Sequence, residues 1–121
     1  VVDFHGEATS EKMAMGLYFD GHASLVVGTH THIPTADCRV LDGGTAYQTD
    51  AGMCGDYNSV IGMDKQAATS RFTGVSGGRL SVASGAPSLC GVLVDVELAT
   101  GLAKQARSFR RGGALENTSA V

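Results

Sequence analysis

The chain has 121 residues and a formal net charge of −3, which suits a single modest domain without a basic field. Its 43% hydrophobic and 17% charged residues are typical of a soluble globular protein and not of a disordered one. No apolar run approaches the ~18 residues that a membrane span needs. A multi-domain protein, a transmembrane protein and a non-specific binder of nucleic-acid backbones are therefore disfavoured.

The three cysteines Cys38, Cys54 and Cys90 form no C-x-x-C pair, so the sequence predicts neither a disulfide framework nor a cysteine zinc site. We expect three reduced thiols that act as small apolar side chains in a cytoplasmic protein. No signal peptide precedes the first predicted strand. A core strand at the first residue also suggests that the chain was cut from something longer.

The amino-terminal third of the chain predicts a strand, a helix and a second strand. Residues 1–5 are β-branched and aromatic, residues 9–18 favour a helix with a hydroxyl residue as its N-cap, and residues 24–28 are apolar. Met13 and Leu17 are four apart, which predicts one apolar helix face. Two strands joined by a helix indicate a βαβ unit with parallel strands.

The remaining elements are predicted from turn signals and alternation. Asp42-Gly43-Gly44 indicates a hairpin turn between residues 38–41 and 45–49. Asp64 is suited to cap a helix that runs to about Phe72. Further strands are expected at residues 79–84, 89–97 and 103–109, while residues 112–121 lack periodicity and predict a disordered tail.

Three of the four histidines fall at predicted strand ends. His5 ends the first strand, and His30 and His32 follow the second. Because the carboxyl ends of neighbouring parallel strands open on one edge of a sheet, these side chains are expected to converge there. Imidazole is the commonest protein ligand for metals, so the placement predicts one or two metal ions, although each histidine taken singly is compatible with a structural role.

Groups near these histidines could fix their tautomers, and the candidates are Asp3, Glu7, Thr29 and Thr31. His22, in a turn between helix and strand, is expected to be an ordinary surface residue. No nucleophile–base pair stands out, so the residues best support chemistry through a metal-activated water.

Four blocks of sequence then carry a family resemblance. They are DFHGEATSEK at residues 3–12, VGTHTH at 27–32, GGTAYQTDAGM at 43–53 and SVIGMDK at 59–65. Together, and in this order, they resemble the YmdB-like family of calcineurin-type metallophosphoesterases over about residues 1–97.

The resemblance implies an α/β fold, namely a two-sheet sandwich flanked by helices. Residues 1–111 would form the carboxyl-terminal part of a metallophosphoesterase domain, followed by the tail at 112–121. It implies hydrolysis of phosphodiesters, 2′,3′-cyclic nucleotides among them, at a dinuclear centre of iron, manganese or zinc. His5, His30 and His32 match the family's late metal ligands.

The family's other ligands and its proton-donating histidine belong to an amino-terminal half that nothing in this sequence matches. A two-metal site also needs a bridging oxygen, which histidines cannot supply. We therefore expect no catalytic residue in this chain and little turnover by the 121 residues alone.

Two other hypotheses remain open. The chain could be a truncated or non-catalytic module that keeps the fold, or a member of a polysaccharide-synthesis phosphoesterase-like family with a similar H-x-H. Uncovered strand edges would favour a homo-oligomer. No membrane and no double-stranded nucleic acid are expected as partners.

Overall fold

A computed structural model of the chain describes residues 1–75 and 78–118. Within these ranges the chain forms six strands and two helices. They are β1 (Val2–His5), α1 (Thr9–Tyr18), β2 (Leu25–Thr29), β3 (Arg39–Val40), β4 (Ala46–Gln48), α2 (Lys65–Phe72), β5 (Leu89–Val96) and β6 (Ala103–Arg111). Neither helix has the length and apolar content that crossing a bilayer would demand. The chain is thus a mixed α/β protein.

The described residues divide into two compact units. The first contains Val1–Gly52 and Cys90–Phe109, and the second contains Met53–Leu89 together with the residues from Arg110 onward. The described strands make a four-stranded sheet of order β1-β2-β4-β3 and a two-stranded sheet of β5 and β6. The histidines at issue all belong to the first unit.

The four-stranded sheet confirms the predicted βαβ unit and hairpin. β1 pairs with β2 in parallel, with His5 opposite Thr29, and β2 pairs in parallel with β4. β3 and β4 are antiparallel, as the Asp-Gly turn predicts. Because β1 and β2 end at the same level, the segments that follow them start side by side.

The predicted buried face of α1 is wrong. Met13 and Leu17 are 43% and 64% exposed, whereas Lys12 and Gly16 are buried. The reason is close packing: a Cβ on Gly16 would stand 2.5 Å from Cδ2 of Tyr47, so only glycine lets the helix lie this near the ring. The hydroxyl N-cap is also not observed, since Ala8 occupies that position and no described side chain caps the helix.

The second unit confirms one prediction and corrects another. Asp64 is the N-cap of α2 and accepts a hydrogen bond from the Ala67 amide at 2.9 Å. Residues 79–84 do not form the predicted strand, because within the described chain their pairing is limited to an isolated bridge between Met63 and Val82. One bridge at a largely exposed, serine-rich segment is too little to extend a ladder.

The carboxyl-terminal strands lie close to their predicted bounds, and Cys90 in β5 is buried as expected. Cys54, in contrast, is exposed, so it does not serve as a core side chain. Beyond β6, Thr118 donates its amide to the Arg110 carbonyl at 3.1 Å. Residues 119–121 of the predicted tail lie outside the described residues, and its disorder stays a prediction.

Replacing Gly16 with alanine tests the packing of α1. Although alanine favours helices, its methyl group would enter the space of the buried Tyr47 ring, and we expect the free energy of unfolding to fall by about 1–3 kcal/mol. Urea denaturation measures this change. Gly91→Ala is the control, because no described atom beyond its two chain neighbours lies within 4 Å of the added Cβ, and it should change stability by less than ~0.5 kcal/mol. Equal stability of the two variants would contradict the packing described here.

Candidate functional site

Two histidines meet where β1 and β2 end. His5 is the last residue of β1, and His30 follows the last residue of β2 directly. Nε2 of His5 lies 3.1 Å from Nδ1 of His30, and the two rings are nearly perpendicular at 81°. The convergence expected from the parallel register is therefore observed for this pair.

A chain of hydrogen bonds fixes the tautomer of His5. The Thr29 hydroxyl donates its single proton to Oδ1 of Asp3 at 3.2 Å. Nδ1 of His5 lies 3.0 Å from the same hydroxyl oxygen and must therefore be the donor to it. The proton of a neutral His5 is thus held on Nδ1, and Nε2 presents its lone pair.

Glu7 approaches His30 from the other side. Its Oε2 lies 2.6 Å from Nε2 of His30, so the imidazole is held between a carboxylate and the ring of His5. Two of the four predicted orienting residues, Glu7 and Thr29, therefore contact a histidine, and Asp3 acts on His5 through the Thr29 hydroxyl. The Thr31 hydroxyl instead donates to the Ile33 carbonyl at 3.3 Å and also forms a hydrogen bond with the Asp50 carboxylate.

His32 lies two residues further along the same segment, with a half-buried side chain and a backbone φ of +68°. Within residues 1–75 and 78–118, no group of three or more His, Cys, Asp and Glu side chains is placed to hold a metal ion. The three-histidine site stays a prediction, and the geometry on which it can build is the His5–His30 pair.

The His5–His30 pair fits a shared ion in one respect. Two nitrogens bound to the same ion at ~2.0–2.1 Å stand about 2.9–3.4 Å apart for the usual bond angles. The separation of 3.1 Å falls in this range. It is equally a hydrogen-bond distance, and in that arrangement His30 donates from both of its ring nitrogens. His5 has the tautomer of a metal-binding imidazole, because its Nδ1 donates to a hydroxyl and its Nε2 is unprotonated.

A buried ion pair lies behind the histidine segment. Lys12 of α1 and Asp50, just after β4, are each 1% exposed, and Nζ lies 3.0 Å from Oδ2. The same oxygen accepts the amide of Thr31 at 2.9 Å, and Oδ1 accepts the amide of Gly52 at 2.9 Å. Burial raises the pKa of Asp50, but these hydrogen bonds outweigh it and hold the pKa below its ordinary value.

A second carboxylate, that of Asp37, binds the loop between β2 and β3 near the start of β3. Asp37 accepts the hydroxyls of Thr35 and Thr49, each at 2.6 Å, and the Thr49 amide at 3.1 Å. Burial raises the pKa of Asp37, yet these bonds outweigh it and keep the pKa below that of an ordinary aspartate. The loop between β2 and β3 is thus tied to the end of β4 at two points.

Sequence reasoning missed Lys12 and Asp50. The available signal was the interruption of apolar patterning: Asp50 closes a polar run after a buried strand, and Gly28 interrupts an apolar one. A Cβ on Gly28 would stand 1.8 Å from the Thr49 carbonyl oxygen and 2.8 Å from Cδ of Lys12. The glycine therefore makes room for the Thr49 carbonyl and for the lysine stem, and no local sequence pattern reveals this relation.

Comparison with known proteins decides the family. The model of the family described as YmdB-like protein matches residues 1–109. The chain belongs to the YmdB-like family.

Individual relatives are longer than this chain. It is 53% identical over 96 residues to a protein of Bacillus subtilis named 2′,3′-cyclic-nucleotide 2′-phosphodiesterase, covering 79% of this chain and 36% of the relative. A Mycoplasma pneumoniae protein named putative phosphatase/phosphodiesterase is 43% identical over 83% of this chain and 36% of its own length. The chain thus spans about a third of these relatives.

A solved structure agrees with this assignment. A crystal structure from Mycoplasma pneumoniae, described as a novel phosphatase, superposes with a TM-score of 0.84 at 39% identity. The match covers 93% of this chain and 40% of the crystallised one. The fold of the described residues is therefore found within a larger protein.

The lowered pKa of Asp37 predicts that the stability of the folded chain depends on pH. Because its pKa is lower in the folded chain, the unfolded chain binds more protons below about pH 5, and the contribution of Asp37 disappears as pH falls through the folded-state pKa. We expect Asp37→Asn to lose roughly 1–3 kcal/mol of unfolding free energy at neutral pH. The difference from wild type should shrink towards pH 3 in urea denaturation. A difference that is independent of pH would show that the charge of Asp37 does not stabilise the loop.

Proposed function

We propose that this chain is the carboxyl-terminal part of a metal-dependent phosphodiesterase with the calcineurin-like two-sheet sandwich. Its substrates would be small phosphodiesters such as 2′,3′-cyclic nucleotides. His5, His30 and His32 would supply late ligands to two divalent ions. The observation that carries the proposal is the 3.1 Å distance between Nε2 of His5 and Nδ1 of His30 at the ends of β1 and β2, in a member of the YmdB-like family.

The names of the relatives support the reaction class. The Bacillus subtilis relative is named for cyclic-nucleotide phosphodiester hydrolysis, and this chain matches 36% of its length. We assign the activity to a whole protein of that kind. The remaining ligands, a bridging oxygen and the proton donor would come from residues beyond this chain.

The contribution of this chain is to bind and orient. His5 would offer Nε2 while Thr29 holds the proton on Nδ1, which fixes both ring orientation and tautomer. His30 would use the nitrogen that faces His5, and Glu7 would restrain its ring from the other side. Bound divalent ions supply charge neutralisation at a phosphoryl oxygen and activation of water.

The donor types suit several metals. Imidazole with carboxylate and amide oxygens accommodates iron, manganese and zinc, so we propose two ions of this group without choosing among them. We also propose a cytoplasmic protein without membrane or duplex nucleic-acid partners, in line with its net charge of −3.

A non-catalytic chain that keeps the fold is the second candidate. It accounts for the incomplete donor set within residues 1–75 and 78–118. The two candidates differ in one respect, which is whether a longer natural protein that contains these residues binds metal through them.

Metal content and phosphodiester turnover test the proposal together. Plasma mass spectrometry and hydrolysis of bis-p-nitrophenyl phosphate are measured for the 121-residue chain and for a natural form with the preceding sequence. We expect about two ions per chain and turnover dependent on manganese or iron in the longer form only. His5→Ala and His30→Ala should each reduce metal affinity by more than ~10-fold.

His22→Ala is the matched control, because His22 is an exposed histidine outside the strand ends. It should leave metal content and turnover unchanged. Absence of metal and of turnover from both forms would favour the non-catalytic candidate.

Thr29→Val tests the orienting role of the hydroxyl. Valine keeps the shape of threonine but removes the acceptor for Nδ1 of His5, so metal affinity should fall about 10–100-fold in isothermal titration. Thr73→Val is the control, since the Thr73 hydroxyl donates to carbonyls of α2 in the second unit. If the two variants bind metal equally well, the hydrogen-bond chain from Asp3 has no role in binding.

A further inference from the structure

The segment that carries His30 and His32 has an unusual backbone. His30 has a φ of +121° and His32 a φ of +68°, both in the region that favours glycine. Such conformations persist only where surrounding contacts impose them. The residue between them, Thr31, is exposed and lies outside any strand or helix, so ordinary secondary structure does not provide the restraint.

The restraint comes from a buried carboxylate. Oδ2 of Asp50 accepts the amide of Thr31, the peptide group that lies between the two histidines. The Asp50 backbone also takes part, since its carbonyl accepts the amide of Thr35 at 3.0 Å and its amide donates to the Thr35 hydroxyl at 2.9 Å. Asp50 thus binds the loop after β2 at two places, at Thr31 between the two histidines and at Thr35.

Lys12 balances the negative charge of the buried Asp50 carboxylate. A carboxylate that is 1% exposed needs a counter-charge, and Nζ of Lys12, equally buried, provides it at 3.0 Å. The lysine stem reaches Asp50 over Gly28, where any Cβ would collide with it. α1, β2 and the end of β4 therefore meet at this one ion pair.

We propose that Asp50, with Lys12 as its counter-ion, is the positioning residue that holds His30 and His32 in the conformation needed for ligand binding. The importance of this role for catalysis rests on the proposed function, but the positioning itself is a property of the fold. Other carboxylates of the first unit bind different backbone groups: Asp20 accepts the amides of Gly43 and Thr45, at 2.7 and 3.2 Å. Asp20 therefore provides a matched control that stabilises the same unit without touching the histidine segment.

Amide hydrogen exchange and histidine ring ¹⁵N shifts in the 121-residue chain test the proposal. In the wild type, the Thr31 amide should be protected despite its exposed position, because its proton is held by Asp50. Asp50→Asn leaves one oxygen to serve both Thr31 and Gly52, and Lys12→Met keeps the stem but removes the charge. Each variant should accelerate exchange of the Thr31 amide at least ~10-fold more than exchange of the Val26 amide in β2. Each should also change the ¹⁵N chemical shifts of the ring nitrogens of His30 and His32.

Asp20→Asn should instead accelerate exchange at Gly43 and Thr45, with unchanged ring shifts for His30 and His32. A purely structural role for Asp50 predicts that both aspartate variants behave alike, and that result would overturn the proposal. If the variants at Asp50 and Lys12 fail to fold, the wild type still decides: exchange of Thr31 at the rate of an unstructured peptide would overturn it.

Titration of the same wild-type chain and of a longer natural form with Mn²⁺ separates the two proposals. A protected Thr31 amide without metal binding in either form would leave the positioning intact and remove the proposed function. Metal binding by a chain whose Thr31 amide is unprotected would do the reverse.

Discussion

A buried lysine–aspartate pair is the contact on which the histidine end of the four-stranded sheet depends. Removing two charges from water is costly, and the cost is offset here by the short contact between Lys12 and Asp50 and by two backbone amides on the carboxylate. The pair brings together α1, the end of β4 and the loop that follows β2. Two glycines allow this close packing: Gly16 lets α1 approach the Tyr47 ring, and Gly28 leaves room for the Thr49 carbonyl and the stem of Lys12.

The chemistry at the surface follows from this buried arrangement. The segment after β2 is held at Thr31, and His30 lies against His5. The hydrogen bonds from Asp3 through Thr29 keep the proton of a neutral His5 on Nδ1, so that its Nε2 is unprotonated. The first unit thus contains the groups that would bind metal and, beneath them, the groups that fix their direction. A division of this kind is what preorganised sites require, because loosely held ligands lose affinity.

Much of the fold could be predicted from sequence, and particular residues show where prediction stops. The parallel strands, the hairpin at Asp42-Gly43 and the cap at Asp64 follow from local patterns, and so does the convergence of His5 with His30. Apolar spacing mispredicts the buried face of α1, because it favours Met13 and Leu17. The observed contacts instead place Gly16 against Tyr47 and Lys12 against Asp50. Those contacts join residues far apart in sequence, and no periodicity within the helix encodes them. Residues 79–84 do not form the predicted strand for a related reason: local composition favours an extended segment but does not provide a neighbouring strand with which it can pair.

X-ray absorption spectroscopy at the metal edge tests most directly whether the strand-end histidines bind metal. The sample is a natural protein that contains this chain, as wild type and as His30→Ala. We predict imidazole scattering from nitrogen at ~2.0–2.1 Å in the wild type and a weaker imidazole signal in the variant. Identical spectra for the two proteins, or a wild-type spectrum without imidazole ligands, would contradict metal binding by these histidines.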